Sequence, residues 1–314
     1  MTSETRLLRI GTRSSDLALW QARHVEGLVK GIPESPDVEL IKIKTEGDRI
    51  LDVPLSSLPG KNFFTREIET ALLDGRIDLA VHSLKDLATD MPAGLMLGAV
   101  LEREDPRDVL LSKDHVDMDG LKRGARVGTS SLRRIAFLRR WRPDVEVVDL
   151  RGNVPTRIRK LEEGQYDAIV LAAAGVKRLG LGDHISSYLP LERILPAVGQ
   201  GAVAIQVRQD DANTLRWVQP LEDPATRSTT AAERALLHEL EGGCQIPLGS
   251  LAVVTDGKLT LSASICDTTG SPSIDGQRQG SAEDCESIGR GLAHDLLEQG
   301  GAAILKRLRG SASP

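Results

Sequence analysis

Residues 126–134, Arg-Val-Gly-Thr-Ser-Ser-Leu-Arg-Arg, carry the pattern that decides the fold. A short stretch containing an apolar residue ends at a glycine, three hydroxyl residues follow, and a helical pattern then runs to Trp141. Residues 7–15, Leu-Leu-Arg-Ile-Gly-Thr-Arg-Ser-Ser, repeat this order before a helix predicted from Asp16 to Lys30. Because serine is a preferred N-cap, each stretch predicts a strand that turns directly into a helix.

The alternation of strands and helices continues on both sides of these two stretches. It is typical of parallel sheets with crossover helices, so we expect two α/β domains flanking a cleft and joined near residues 103–107. A glycine-bearing loop at 195–202 leads into an apolar strand, which we expect to return to the first domain. The predicted domains are 1–102 plus about 200–219 for the first and 107–196 for the second.

The remainder, 223–314, predicts a smaller α+β domain. Asp223 and Pro224 suit the N-cap and first position of a helix that ends near Leu240. Asp256-Gly257 between two alternating stretches is a strong hairpin signal, and Ser281 is the expected cap of a later helix.

Composition limits the classes of function. The 314 residues are 40% hydrophobic and 3% aromatic with a formal net charge of −5, which argues against non-specific binding to nucleic acid or membrane surfaces. Three cysteines without a C-x-x-C pair or a histidine grouping predict neither a disulfide framework nor a metal site. Without an apolar leader or an 18-residue apolar run, we expect a cytoplasmic protein.

Arginines follow both strand-to-helix turns. Each turn offers backbone N–H groups and the positive end of a helix dipole, and Arg13, Arg133 and Arg134 come directly after. Arg151, Arg157 and Arg178 stand after two later strands, which places all six on one predicted rim. Ordinary capping explains either turn alone. Together they favour a ligand rich in carboxylates or phosphates, and the absence of nucleotide-binding glycine motifs disfavours nucleotides.

Two further residues leave alternatives open. Asp86 follows the predicted strand 77–82, and it suits either an acid that exchanges protons with a ligand or a helix N-cap. Cys244 lies in Glu-Gly-Gly-Cys-Gln-Ile-Pro-Leu-Gly, residues 241–249, where it is either an exposed thiol or a small buried residue beside a helix C-cap. His82, on an apolar strand, is better explained as a packed histidine than as a base.

Five motifs, in this order, resemble the porphobilinogen deaminase family, and the resemblance runs from Arg9 to about Gly301. They are His82-Ser83-Leu84-Lys85-Asp86, residues 128–134, Leu150-Arg151-Gly152-Asn153, Pro196-Ala197-Val198-Gly199-Gln200-Gly201 and Leu240-Glu241-Gly242-Gly243-Cys244. The resemblance implies a monomeric transferase of tetrapyrrole biosynthesis that condenses four porphobilinogens head to tail into hydroxymethylbilane, releasing ammonia. It also implies two α/β domains like those of periplasmic binding proteins and a third domain carrying Cys244.

The resemblance also implies roles for individual residues. Cys244 attaches a dipyrromethane cofactor by a thioether, and Asp86 is the catalytic acid. Residues that hold the cofactor are Ser83, Lys85, Thr129, Ser131, Arg133, Arg134 and Arg151. Residues that bind the substrate are Arg13, Ser15, Gln21, Arg157, Arg178 and Gln200. Lys61 and Phe64 belong to a lid over the cleft.

Three positions depart from the family pattern without changing a functional group: Asp16 and Ala88 replace prolines, and Asn62 replaces a glycine. Two other functions fit parts of the sequence. A binding module that closes on a small anion leaves Cys244 unexplained, and a thiol hydrolase would need Cys244 and His82 to act as a pair.

Overall fold

A computed structural model describes residues 7–49, 65–240 and 246–310. The described residues form two compact units, the first made of 7–49, 65–103 and 202–227 and the second of 104–201, 228–240 and 246–310. The strands are β1 Leu7–Thr12, β2 Asp37–Lys42, β3 Leu79–Ser83, β4 Leu95–Val100, β5 Asp108–Ser112, β6 Arg126–Gly128, β7 Glu146–Val148, β8 Ala168–Ala172, β9 Ser187–Tyr188, β10 Val203–Arg208, β11 Leu248–Thr255, β12 Lys258–Cys266 and β13 Ser273–Ser281. The helices are α1 Asp16–Lys30, α2 Glu46–Arg49, α3 Arg66–Leu73, α4 Leu132–Trp141, α5 Val154–Glu162, α6 Ala173–Arg178, α7 Ala212–Val218, α8 Pro224–Glu239, α9 Cys285–Leu296 and α10 Ala302–Gly310.

The first unit is built on one five-stranded sheet with the order β2-β1-β3-β10-β4. Helix α1 covers it because Ala18, Ala22, Val25 and Val29 recur at helical spacing and are all buried. Burying a valine side chain contributes roughly 1.5–3 kcal/mol. The predicted return strand is confirmed, since β10 lies between β3 and β4.

The second unit contains a five-stranded sheet with the order β7-β6-β8-β5-β9. The expectation of parallel pairing is right for β2-β1-β3 and for β7-β6-β8, but it is wrong for the rest of each sheet. Strand β10 runs antiparallel to both its neighbours, and β5 runs antiparallel to β8. Neither β5 nor β10 follows a crossover helix from its own sheet, so neither is constrained to the parallel direction.

The C-terminal part of the second unit is the antiparallel sheet β11-β12-β13, covered by α9. The hairpin predicted at Asp256-Gly257 is confirmed, and both residues have positive φ angles of 51° and 74°. Two successive positive φ angles are typical of the type I′ turn that matches the twist of a hairpin. The fold class is therefore α/β with a smaller α+β part, while the three-domain division stays a prediction.

Helix α4 packs against this C-terminal part. Cys266, at the end of β12, is fully buried in the same apolar cluster as Ala136 and Phe137 of α4. Arg140 forms two hydrogen bonds with Asp275 of β13, at 3.0 and 2.7 Å. Helix α4 is thus held between two sheets of the second unit: the sheet β7-β6-β8-β5-β9, or middle sheet, and the C-terminal sheet β11-β12-β13.

In the described stretches of the chain, every helix falls short of the length or the apolar character that crossing a bilayer requires.

Candidate active site

In the first unit, the candidate residues meet at one edge of the sheet. Strands β1 and β3 are parallel neighbours in which Gly11 pairs with Ala80. Their carboxyl ends therefore lie side by side, which brings residues 13–15 next to residues 83–86. In α/β sheets this is the edge where ligands bind.

The N-terminus of α1 is tied to the end of β3. Ser15 is the N-cap of α1, and its side chain accepts a hydrogen bond from the Ala18 amide. Gln21, 2% exposed, donates from Nε2 to Ser83 Oγ at 2.9 Å. The structure therefore brings Gln21 and Ser83 together, although the family resemblance assigned Gln21 to the substrate and Ser83 to the cofactor.

Asp86 projects from a short turn rather than capping a helix. Residues Leu84–Asp86 form a single 3-10 turn whose N-cap is Ser83. The buried Leu84 anchors this turn, and its amide donates to the Ala202 carbonyl at 3.0 Å. Lys85 is half-buried and Asp86 is exposed. A carboxylate at the sheet edge on an anchored turn can reach a ligand without local rearrangement.

His82 is a packed histidine, as the sequence indicated. It is 6% exposed, and its Nε2 lies 3.1 Å from Gln206 Oε1. Burial lowers the pKa of His82 to about 4, and the nearby charge of Arg13 acts in the same direction. At neutral pH the ring is uncharged and already bound to a partner inside the sheet.

In the second unit, the parallel strands β7, β6 and β8 direct their carboxyl ends to one edge. Residues 129–131 follow β6, Arg151 follows β7, and α6 with Arg178 follows β8. Ser131 caps α4 by accepting a hydrogen bond from the Arg134 amide. Thr129 is almost fully buried, and its Oγ1 accepts from the Ser131 amide at 3.3 Å.

Arg133 and Arg134 do not line an open rim, which corrects the expectation from sequence. They are only 4% and 6% exposed, because the first turn of α4 points them into the unit. Arg133 Nη1 lies 2.7 Å from Asp108 Oδ2, and Arg134 Nη2 lies 2.7 Å from Asp108 Oδ1. The arginine pair is thus buried and shares one carboxylate.

Asp108 is the residue that sequence reasoning missed. It begins β5 and pairs with Ala172, the last residue of β8, so the antiparallel direction of β5 brings it to the functional edge. Burial alone would raise the pKa of Asp108, but the charges of Arg133 and Arg134 hold it well below its ordinary range. No sequence motif marks this aspartate, since its partners come together only in the folded sheet.

Gln200 supports the same cluster. It is fully buried and donates from Nε2 to Asp108 Oδ1 at 2.9 Å and to the Pro106 carbonyl at 2.7 Å. These contacts bind Gln200 to the carboxylate that the arginine pair shares, whereas the resemblance assigned it to substrate binding.

The remaining arginines of this edge are half-buried. Arg157 donates from Nε to the Gly152 carbonyl at 2.7 Å, and Arg178 donates from Nη2 to the Gly201 carbonyl at 2.7 Å. Burial lowers the pKa of Arg178. Gly152 has a φ of 119°, a conformation that disfavours other residues and lets the chain turn from Arg151 into α5. With Arg133 and Arg134, these side chains give the edge a surplus of positive charge.

The predicted residues Lys61, Phe64 and Cys244 lie outside the described residues. The two cysteines that are described, Cys266 and Cys285, both have a raised thiol pKa because of burial. For Cys266 the pKa rises to about 11, so its reactive thiolate is scarce at neutral pH.

Comparison with known proteins gives two family matches. Residues 8–216 match the family described as "Porphobilinogen deaminase, dipyromethane cofactor binding domain", and residues 228–298 match "Porphobilinogen deaminase, C-terminal domain". A porphobilinogen deaminase of Syntrophomonas wolfei is 52% identical over 97% of this chain and 99% of its own length. One from Geobacter sulfurreducens is 49% identical over 95% of this chain and 93% of its own length.

Solved structures that resemble the chain include the methionine-binding protein MetQ, with a TM-score of 0.44 and 16% identity over 68% of this chain and 89% of MetQ. Another is the periplasmic VFT2 domain of BvgS from Bordetella pertussis, with a TM-score of 0.38 and 17% identity over 68% of this chain and 85% of that domain.

Proposed function

The chain belongs to the porphobilinogen deaminase family, and from this membership we propose which of its residues carry out the family's reaction. It is a transferase of tetrapyrrole biosynthesis that condenses porphobilinogen into hydroxymethylbilane on a dipyrromethane cofactor, with release of ammonia. The roles of individual residues are proposals.

The residues of the second unit suit a carboxylate-bearing cofactor. When bound, the dipyrromethane supplies a covalently held primer whose rings each carry an acetate and a propionate. Among the described residues, Arg133 Nε and Arg134 Nε are buried donors without a hydrogen-bond acceptor. Carboxylates are the natural acceptors for such donors, and the terminal nitrogens of both arginines already bind the one buried carboxylate of Asp108.

We assign the binding residues accordingly. Arg133, Arg134 and Arg151, with the hydroxyls of Thr129 and Ser131, hold the cofactor carboxylates in the second unit. In the first unit, Ser83 and Lys85 do so. The substrate contacts are assigned to Arg13, Ser15, Gln21, Arg157 and Arg178. Guanidinium groups suit this task because they bind carboxylates with two parallel hydrogen bonds.

Cys244 is the proposed attachment residue. The thioether needs a nucleophilic sulfur, and the raised pKa values of Cys266 and Cys285 make those two thiols poor nucleophiles. Cys244 is the remaining cysteine of the chain's three, and its Gly-Gly-Cys-Gln motif supports the assignment.

The observation that carries the proposed chemistry is the exposed Asp86 on its anchored turn. In this proposal its carboxyl group protonates the amine that leaves porphobilinogen. As a carboxylate it then stabilises the positive charge that remains on the substrate. The buried, uncharged His82 does not suit the thiol-hydrolase alternative, because its ring nitrogen is engaged by Gln206.

Intact mass and turnover test these roles. We expect the purified protein to be heavier than its sequence by two linked pyrrole units, and Cys244→Ser to have the mass of its sequence alone. We expect Asp86→Asn to lower kcat by about 10²–10⁴-fold without changing the melting temperature, because the side chain is exposed.

Asp210→Asn is the matched control, since this exposed aspartate lies beyond the other end of β10 in the same sheet. Ammonia release at the normal rate from Asp86→Asn would refute the catalytic role. Active wild-type protein without added mass would refute the covalent cofactor.

We also propose that the protein is a cytoplasmic monomer that binds neither nucleic acid nor membranes. Its net charge of −5 supports the absence of polyanion binding. Sedimentation at micromolar concentration checks the oligomeric state.

A further inference from the structure

Asp108 is a fully buried carboxylate for which the proposed reaction has no direct use. It opens β5 at the level of Ala172, so it lies at the edge where the proposed cofactor residues gather. A buried carboxylate is costly unless it is paired and hydrogen-bonded, and this one is both.

Both of its oxygens accept hydrogen bonds from charged or polar donors. Oδ2 accepts from Arg133 Nη1 at 2.7 Å, while Oδ1 accepts from Arg134 Nη2 at 2.7 Å and from Gln200 Nε2 at 2.9 Å. One carboxylate therefore fixes the orientation of both guanidinium groups at once.

Backbone carbonyls complete the arrangement. Arg133 Nη1 also donates to the Leu195 carbonyl at 2.6 Å, and Arg134 Nη1 donates to the Val170 carbonyl at 2.9 Å. Terminal nitrogens of each arginine are thus bound within the unit, and the Nε groups are the donors that the described residues leave without an acceptor.

Charge balance gives this cluster a second property. Two guanidinium groups and one carboxylate leave a net charge of +1. Without Asp108, the two arginines would repel one another in a buried setting, since burial first and the charge of Arg134 second already lower the pKa of Arg133.

We propose that Asp108 is a positioning residue for cofactor assembly: it holds Arg133 and Arg134 in a fixed arrangement with one surplus positive charge, matched to one ligand carboxylate. This inference rests on the proposed function, because it concerns the arginines assigned to the cofactor. Asp108 itself does not contact the ligand.

Asp78 provides a matched control. It is also a buried carboxylate between two arginines, accepting from Arg9 Nη2 at 2.9 Å with Arg208 Nη2 at 3.5 Å. It precedes β3, however, and therefore lies at the sheet edge opposite Ser83 and Asp86. Asp78→Asn therefore measures how much stability the protein loses when a buried ion pair away from the site is broken.

The experiment compares the wild type, Asp108→Asn and Asp78→Asn. Apoprotein of each is incubated with porphobilinogen, and intact mass follows the uptake of two pyrrole units per folded molecule. Urea denaturation gives the folded fraction separately. We expect both variants to lose stability, but only Asp108→Asn to assemble the cofactor about tenfold more slowly or worse, as the loss of charge-assisted hydrogen bonds implies.

Equal assembly rates per folded molecule in the two variants would overturn the inference and leave Asp108 a structural ion pair. If Asp108→Asn does not fold, Asp108→Glu decides. It keeps the charge but moves it by one methylene, so slow assembly supports positioning and a wild-type rate contradicts it. Wild-type protein that never gains the two pyrrole units would instead refute the proposed function.

Discussion

At the scale of single residues, burial separates the proposed catalytic acid from the residues that surround Asp108. Asp86 is exposed, whereas Arg133, Arg134 and Gln200 are buried around Asp108. Two residues of the same type, Asp86 and Asp108, can therefore have different tasks. In the proposed reaction the exposed Asp86 meets the substrate, whereas the buried arginine pair offers the cofactor its two Nε donors.

His82 gives a pH-dependent prediction at this scale. Its pKa is about 4 in the folded protein and near 6.5 when unfolded, so protons bind preferentially to the unfolded chain between these values. The stability due to the neutral ring is present above pH 6.5 and is lost as pH falls to 4. The change amounts to about 3 kcal/mol.

Urea denaturation at pH 7.5 and at pH 4.5 checks this effect. The free energy of unfolding should fall more steeply for the wild type than for His82→Gln, which lacks the titrating group. Parallel pH profiles for the two proteins would mean that another group is responsible.

The residue scale is also where sequence reasoning reached its limit. It identified Arg133 and Arg134 by their position after a strand-to-helix turn. It did not identify Asp108, which is 25 residues from Arg133 and 92 from Gln200. Partners so far apart in sequence are brought together by the direction of β5, which local patterns do not encode.

At the scale of elements, strands with clear turn signals were predicted well. Helix α1 spans the predicted residues 16–30, and the Asp256-Gly257 hairpin forms as expected. Strands β4, β5, β9 and β13 were not predicted, because a short apolar run or a polar edge strand has no periodicity that separates it from a loop.

Helix α5 supports a prediction about an element beside the site. Its N-cap is Asn153, which lies two residues after Arg151. The Oδ1 of Asn153 accepts a hydrogen bond from the Thr156 amide at 2.9 Å. Asn153→Ala should cost roughly 1 kcal/mol of stability by removing this cap. It should also slow cofactor assembly, because Arg151 and Arg157 flank the first turn of α5.

Asn153→Asp is the control at the same position, since aspartate caps helices about as well as asparagine. Thermal unfolding and the mass gain of apoprotein with porphobilinogen give the two readouts. Loss of assembly in Asn153→Asp with an unchanged melting temperature would show that the amide itself, rather than the cap, is needed.

At the scale of the whole molecule, the second unit joins the middle sheet and the C-terminal sheet through one helix. The first turn of α4 binds Asp108 beside the middle sheet, while its later turns contact Cys266 and Asp275. Arg139 Nη1 also donates to the Thr268 carbonyl at 2.8 Å. Such shared packing makes separate unfolding of the two sheets unfavourable.

Gly270 is the point where this coupling can be tested. Its φ is 93°, and a Cβ there would lie 2.8 Å from the backbone of Arg139 and Arg140. Gly270→Ala should therefore displace α4 and destabilise the second unit by roughly 1–3 kcal/mol. Because α4 contacts both sheets, hydrogen exchange should accelerate at amides of β8 as well as β12. Gly182→Ala is the control, because a Cβ there meets no atom within 4 Å, and it should change neither the stability nor the exchange rates. Faster exchange confined to β11–β13 would show that the C-terminal sheet opens independently and that α4 does not couple it to the middle sheet.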